Sequence, residues 1–210
     1  MSEKLIRQAN NNKERQETYQ YQLGRYKLAM KNEFYFEGLI IVYAMLEDRM
    51  RSFLYYCGLF ANRNTLKVYG KVKEDIQKIV FDELPNKIPS MRTISTKILY
   101  IKRLLGWADS IMAEEITGND YLTSLKSQLE SVDIGGMLEV LEELSRPDSG
   151  WLAYRNEIIH ATMNKNLNAL NENLGGQVEK GMEYARFIDS QVHILRTKGR
   201  VRKCLNLQNN

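Results

Sequence analysis

Apolar residues recur at three- and four-residue steps along nearly the whole chain, and no stretch alternates in the two-residue rhythm of a half-buried strand. Three prolines among 210 residues leave long runs free of the residue that breaks helices. The spacing therefore predicts an all-α protein, an up-and-down helical bundle with additional short helices. A polar helix over Lys13 to Met30 carries Tyr19, Leu23, Tyr26 and Met30 on one side. Glu33 to Gly58 is the most apolar helix and the expected centre of the bundle, with a stripe of Leu39, Val42, Tyr43, Leu46, Met50, Phe53 and Cys57. Thr65 to Phe81 reads as a shorter, mostly charged helix, and the segment Asp82 to Ser90, with Pro85 and Pro89, as a loop. Ile94 to Trp107 is amphipathic. Asn119 to Leu129 and Met137 to Leu144 read as short helices separated by a break at Gly135–Gly136.

Pro147, Asp148 and Ser149 form a helix start ahead of Trp151 to Thr162. An Asn-rich linker follows, then a long last helix from Leu167 to Arg196, with an interruption expected at Gly175–Gly176. No internal repeat or composition shift divides the chain, so residues 1–210 read as a single domain. Its core spans about 33–196, with an N-terminal helical extension over 1–30 and a basic tail over 197–210. Arg196, Lys198, Arg200, Arg202 and Lys203 make that end basic without an intervening acid, which suits a solvated helix end or a phosphate-contacting arm.

Composition narrows the function classes. Thirty Lys and Arg against 26 Asp and Glu give a net charge of only +4, too little to announce nucleic-acid binding by itself. Cys57 and Cys204 match no metal or redox spacing and point to a reducing compartment, so a cytoplasmic location is expected. The polar, Asn-rich start is unlike a signal peptide, and Leu39 to Leu46 is far shorter than the ~20 apolar residues of a membrane span. His160 and His193 are the only histidines and neither has a neighbour at metal-ligand spacing, so no metal and no cofactor are expected. Phosphate-binding glycine loops and nucleophile elbows are missing too.

What remains is Tyr154-Arg155-Asn156-Glu157-Ile158-Ile159-His160. At about 100° per residue, Trp151, Leu152, Ile158, Ile159 and Thr162 gather on one side of this helix. Arg155 projects into the middle of that side, and Asn156 and His160 share the flank beside it. An arginine aimed at a core is costly unless an acid, a hydrogen-bond acceptor or an anionic ligand meets it. Two readings stay open. Either Glu47 or Asp48 of the central helix pairs with Arg155 and His160 is structural, or Arg155 binds a phosphate and His160 moves protons. His193 reads as structural, and Tyr19, Tyr26, Tyr43 and Tyr184 as core-edge residues and not as base-stacking platforms.

Arg-Asn-x-x-x-His on a late helix of an all-α chain resembles the signature of HEPN domains, many of which are ribonucleases. Glu47-Asp48-Arg49-Met50-Arg51 supplies Glu47 and Arg51 at the Glu-x-x-x-Lys/Arg spacing that an upstream helix of the family often carries. The resemblance covers about Phe34 to Arg196 and implies a HEPN-like four-helix bundle core. It also implies Arg155 and His160 as catalytic residues, with Asn156, Glu47 and Arg51 in support. In that role Asn156 orients His160 or binds phosphate, and Glu47 positions Arg155 or Arg51. The function implied is a metal-independent endoribonuclease that cleaves single-stranded RNA at a composite dimeric site and leaves 2′,3′-cyclic phosphate ends. The partners implied are RNA, a second copy of the chain, and an antitoxin or activator protein of a toxin–antitoxin or phage-defence system. One departure stands out. HEPN toxins controlled by nucleotidylation carry a Tyr two residues after the His, where this chain has Thr162. The rival readings are a non-catalytic HEPN-like module that binds a nucleotide, RNA or a protein, and a helical scaffold.

Overall fold

The computed structural model describes residues 12–63, 65, 67–81, 91–161 and 173–207. They are all-helical, with no strand among them. The helices are α1 (Asn12–Lys31), α2 (Tyr35–Tyr56), α3 (Lys73–Val80), α4 (Ile94–Ser110), α5 (Asp120–Leu129) and α6 (Ile134–Ser145), followed by α7 (Trp151–Ala161), α8 (Leu174–Lys198) and α9 (Arg200–Cys204). Short 3₁₀ turns cover Gly70–Val72 and Ala113–Ile116. Among the described residues no helix is long and apolar enough to cross a membrane. The loop expected over 82–90, the Asn-rich linker and Thr162 lie outside the described residues.

The central position of α2 follows from its sequence. Six of the seven residues in its expected stripe are buried, and Tyr43 is half-exposed at the edge. α8 covers α2 along much of its length, with α1 and α4 on its flanks; α6 packs on α4, α7 on α6, and α9 on α5. Gly38 permits the close approach, because a Cβ there would stand 2.9 Å from Val178 of α8 and 3.3 Å from the Met30 sulfur of α1. The helix ends in a Schellman motif. Gly58 takes φ +79°, its N–H donates to Tyr55 O, and the Leu59 N–H donates to Leu54 O. Thr93, Asn119 and Asp133 accept hydrogen bonds from first-turn N–H groups of α4, α5 and α6.

The glycine pairs act differently from the breaks the sequence suggests. Gly135 and Gly136 lie inside the first turn of α6, under the Asp133 cap, and Gly175 and Gly176 lie inside the first turn of α8. Gly175 faces the Tyr35 ring, and a Cβ there would come within 3.0 Å of it. The expected basic tail is likewise no tail over its described part. α8 runs to Lys198 and α9 folds back under α2, burying Val201 and Leu205 in the main core. Arg202, read as a solvated or phosphate-contacting residue, is 1% exposed. It donates to the carbonyls of Tyr55, Phe60 and Ala61 at 3.2, 3.0 and 3.1 Å, and its guanidinium lies 3.7 Å from the Tyr55 ring centroid. A charged fork thus meets carbonyls around and just beyond the end of α2.

Candidate functional site

α7 is fixed by its first residue. The Trp151 indole N–H donates to Gln177 O at 2.7 Å, and the ring lies on Gly181 of α8, where a Cβ would come within 2.5 Å of it. Trp151, Leu152 and Ile158 are buried and Ile159 is half-buried, as the helical wheel requires. Pro147 to Gly150 form a turn ahead of the helix, and the Tyr154 N–H donates to Gly150 O.

This docking lays Arg155 across α2. Its guanidinium carbon stands 4.0 Å from the centroid of the Tyr43 ring, and Nη1 donates to Asn156 Oδ1 at 3.0 Å. Nε is buried with no hydrogen-bond partner. Burial raises the Tyr43 phenol above its ordinary pKa and nearby Glu47 adds to the rise, while Arg155 opposes both. Asn156 and His160 are exposed, one turn apart, on the same helix. Arg155, Asn156 and His160 therefore form one solvent-facing edge of α7, and no hydrogen bond joins Asn156 to His160 among the described residues.

The two upstream residues are placed otherwise. Glu47, expected to pair with Arg155 or Arg51, accepts instead from Lys97 Nζ of α4 at 2.9 Å. Lys97 is fully buried and also reaches the carbonyls of Arg92 and Thr93. A buried ammonium needs that carboxylate more than a half-exposed arginine does. Asp48, the other candidate counter-charge, is bonded by Arg49. Arg51 turns toward α1, beside Arg15, and lines a groove between α1 and α2. The structure thus joins Arg155 to Asn156, places His160 one turn further along the same helix, and leaves Glu47 and Arg51 to other tasks.

Tyr43 is the member of this site that sequence reasoning placed only in the core. Its signal is present in hindsight: it is the polar-tipped residue of the stripe, one turn before Glu47. Among the described residues no three His, Cys, Asp or Glu side chains converge as a metal site would. No family model matches the chain, and neither the curated proteins nor the solved structures contain a match to it.

Proposed function

We propose that the protein is a metal-independent endoribonuclease of HEPN-like type, with Arg155 as the phosphate-binding residue and His160 as the proton-transfer residue. The observation that carries this reading is the state of Arg155. Its guanidinium is held in place by Tyr43 and Asn156, is bonded to no carboxylate among the described residues, and retains a buried N–H without a partner. Both acids that would make it a structural ion pair serve other cations. A permanently charged, oriented fork at a half-exposed position suits phosphate oxygens.

RNA brings its own nucleophile, the 2′-OH. Cleavage requires a base for the 2′ proton, an acid for the departing 5′-oxygen, and positive charge at the phosphorane. An imidazole, with an ordinary pKa near ~6.5, serves either proton role. One chain contributes one such histidine at this edge, so two copies related by a two-fold axis would supply base and acid across one cleft. Phe36 and Ile40, exposed large apolar residues two turns and one turn before Tyr43 on α2, offer area for that contact. The 2′-O–P bond forms as the P–O5′ bond breaks, leaving 2′,3′-cyclic phosphate and 5′-OH ends. A toxin or phage-defence role, with a separate antitoxin or activator, belongs to the same proposal and rests on the motif resemblance.

The second reading, a non-catalytic module that binds a nucleotide, RNA or a protein at this edge, draws on one feature: no described side chain orients His160. Matched RNA and DNA oligonucleotides separate the two. The nuclease cuts RNA alone and yields cyclic phosphate termini; a binder retains the oligonucleotide uncut, with affinity lost in Arg155→Ala.

A further inference from the structure

Arg155 occupies one side of α2, and a separate cationic site occupies the other. Ser52 and Tyr56 follow Tyr43 by nine and thirteen residues, which at about 100° per residue turns them to roughly the opposite face of the helix. There α1, α2, the segment after α2 and α8 enclose a polar cleft of about 350 Å³. Arg15, Arg49, Arg63 and Arg196 line it, one from each of these elements, and Asp189 is the only acid among the lining residues described.

The bonding inside the cleft leaves positive charge over. Arg49 takes up the carboxylates, donating to Asp189 at 2.6 Å and to Asp48, with its guanidinium 4.7 Å from the Tyr19 ring centroid. Arg63 donates to the Tyr56 hydroxyl and stands over the rings of Tyr55 and Tyr56 at 4.7 and 5.0 Å. Arg196 Nη2 donates to His193 Nδ1 at 2.8 Å, which uses the ring's acceptor nitrogen. Among the described residues Arg63 and Arg196 therefore meet aromatic rings, a hydroxyl and an imidazole, and no carboxylate. The Nε groups of Arg49 and Arg63 are buried without hydrogen-bond partners. Burial, and then the charge of Arg63, pull the Arg15 guanidinium below its usual value; Asp48 opposes this and Arg51 adds to it. Like charges gathered in a low-dielectric cleft repel one another, and an anion between them relieves the repulsion.

We propose that this cleft binds a small anion carrying two or more adjacent phosphate groups. Its volume lies at the small-molecule end of ligand sites. The guanidiniums come from four separate elements, and a pyrophosphate unit presents oxygens in more directions than one tetrahedral phosphate does. Ser52 and Tyr19 add hydroxyls to the lining. Inorganic oligophosphate and nucleoside di- or triphosphates share this chemistry.

Calorimetric titration of the full chain with sodium pyrophosphate, against sodium sulfate at matched ionic strength, tests the site. Wild type is expected to bind pyrophosphate at least about tenfold more tightly than sulfate, and Arg63→Gln and Arg196→Gln each to weaken it about tenfold, the loss of one charge-assisted contact. Arg155→Gln, on the other face of α2, should bind as wild type does. Should Arg63→Gln fail to fold, the exposed Arg196 still carries the test. ADP binding more tightly than pyrophosphate points to a nucleotide, and equal binding to inorganic oligophosphate; either supports the site. Equal affinity for sulfate, or cleft variants that bind as wild type does, would overturn it, and so would loss of binding confined to Arg155→Gln.

Discussion

Arg155 and Glu47 were natural partners in sequence, an arginine aimed at a core and an acid on the helix it would meet. The structure separates them because Lys97 has the stronger claim: fully buried, it would otherwise leave an ammonium group in the core. Unequal stability effects follow. Arg155→Ala loses a cation–π contact at a half-exposed site and should cost less than about 1 kcal/mol. Glu47→Ala strands Lys97 and should cost about 2 kcal/mol, below the ~3–5 of wholly buried pairs because Glu47 is itself about a third exposed. Urea unfolding of both variants checks the order; a larger loss for Arg155→Ala would make that residue a structural ion. The cysteines differ in the same spirit. Burial pushes the Cys57 thiol far up, whereas Cys204 is exposed, so the native protein should react once with a thiol reagent and the unfolded protein twice. Because the folded pKa of Cys57 is raised, its contribution to stability is complete below the unfolded pKa of about 8.5 and declines as pH rises above it. Two reactive thiols in the native state would contradict this placement.

At the scale of the helix, periodicity made most elements legible. Leu39, Leu46, Met50 and Phe53 mark the buried face of α2 without any structure, because an amphipathic stripe has one way to face a core. Contacts between elements were not legible, since a glycine on a helical wheel does not announce what lands on it. Gly181 is the instructive case. Nothing in the sequence sets it apart within the last helix, yet it is the seat of Trp151 and so sets where α7 carries Arg155 and His160. Gly181→Ala should destabilise the protein by about 1–3 kcal/mol through overpacking and lower any RNA cleavage with it. Gly24→Ala, at an exposed α1 position where nothing stands within 4 Å of the new Cβ, should stabilise it by about 0.5–1 kcal/mol. Thermal melts compare the two; equal shifts would mean that α7 is not held by this contact.

For the molecule as a whole, sequence composition hid the closing contact of the fold. Five basic residues near the C-terminus look alike in sequence, but one of them, Arg202, threads into the core to bond three carbonyls around the end of α2, while Lys198 and Lys203 stay exposed. Nothing local marks it out; the signal is long-range, since Tyr55 and Phe60 lie more than 140 residues away along the chain. Arg202→Ala should cost about 3 kcal/mol, because carbonyls lose charged donors inside the core, and Lys should not restore it, having no planar fork. Denaturant midpoints of the three proteins measure this, and a full rescue by Lys would show that charge alone suffices. The cationic cleft was hidden for a related reason: Arg15, Arg49, Arg63 and Arg196 belong to four elements, and only folding brings them together.

Cleavage of labelled single-stranded RNA in excess EDTA, by wild type and by His160→Ala of equal thermal stability, tests the central claim most directly. Fragments with 2′,3′-cyclic phosphate ends from wild type, and a loss of at least about a hundredfold in His160→Ala, are the predicted result. Equal cleavage by the two proteins, or none by folded wild-type protein across several RNAs, would contradict it.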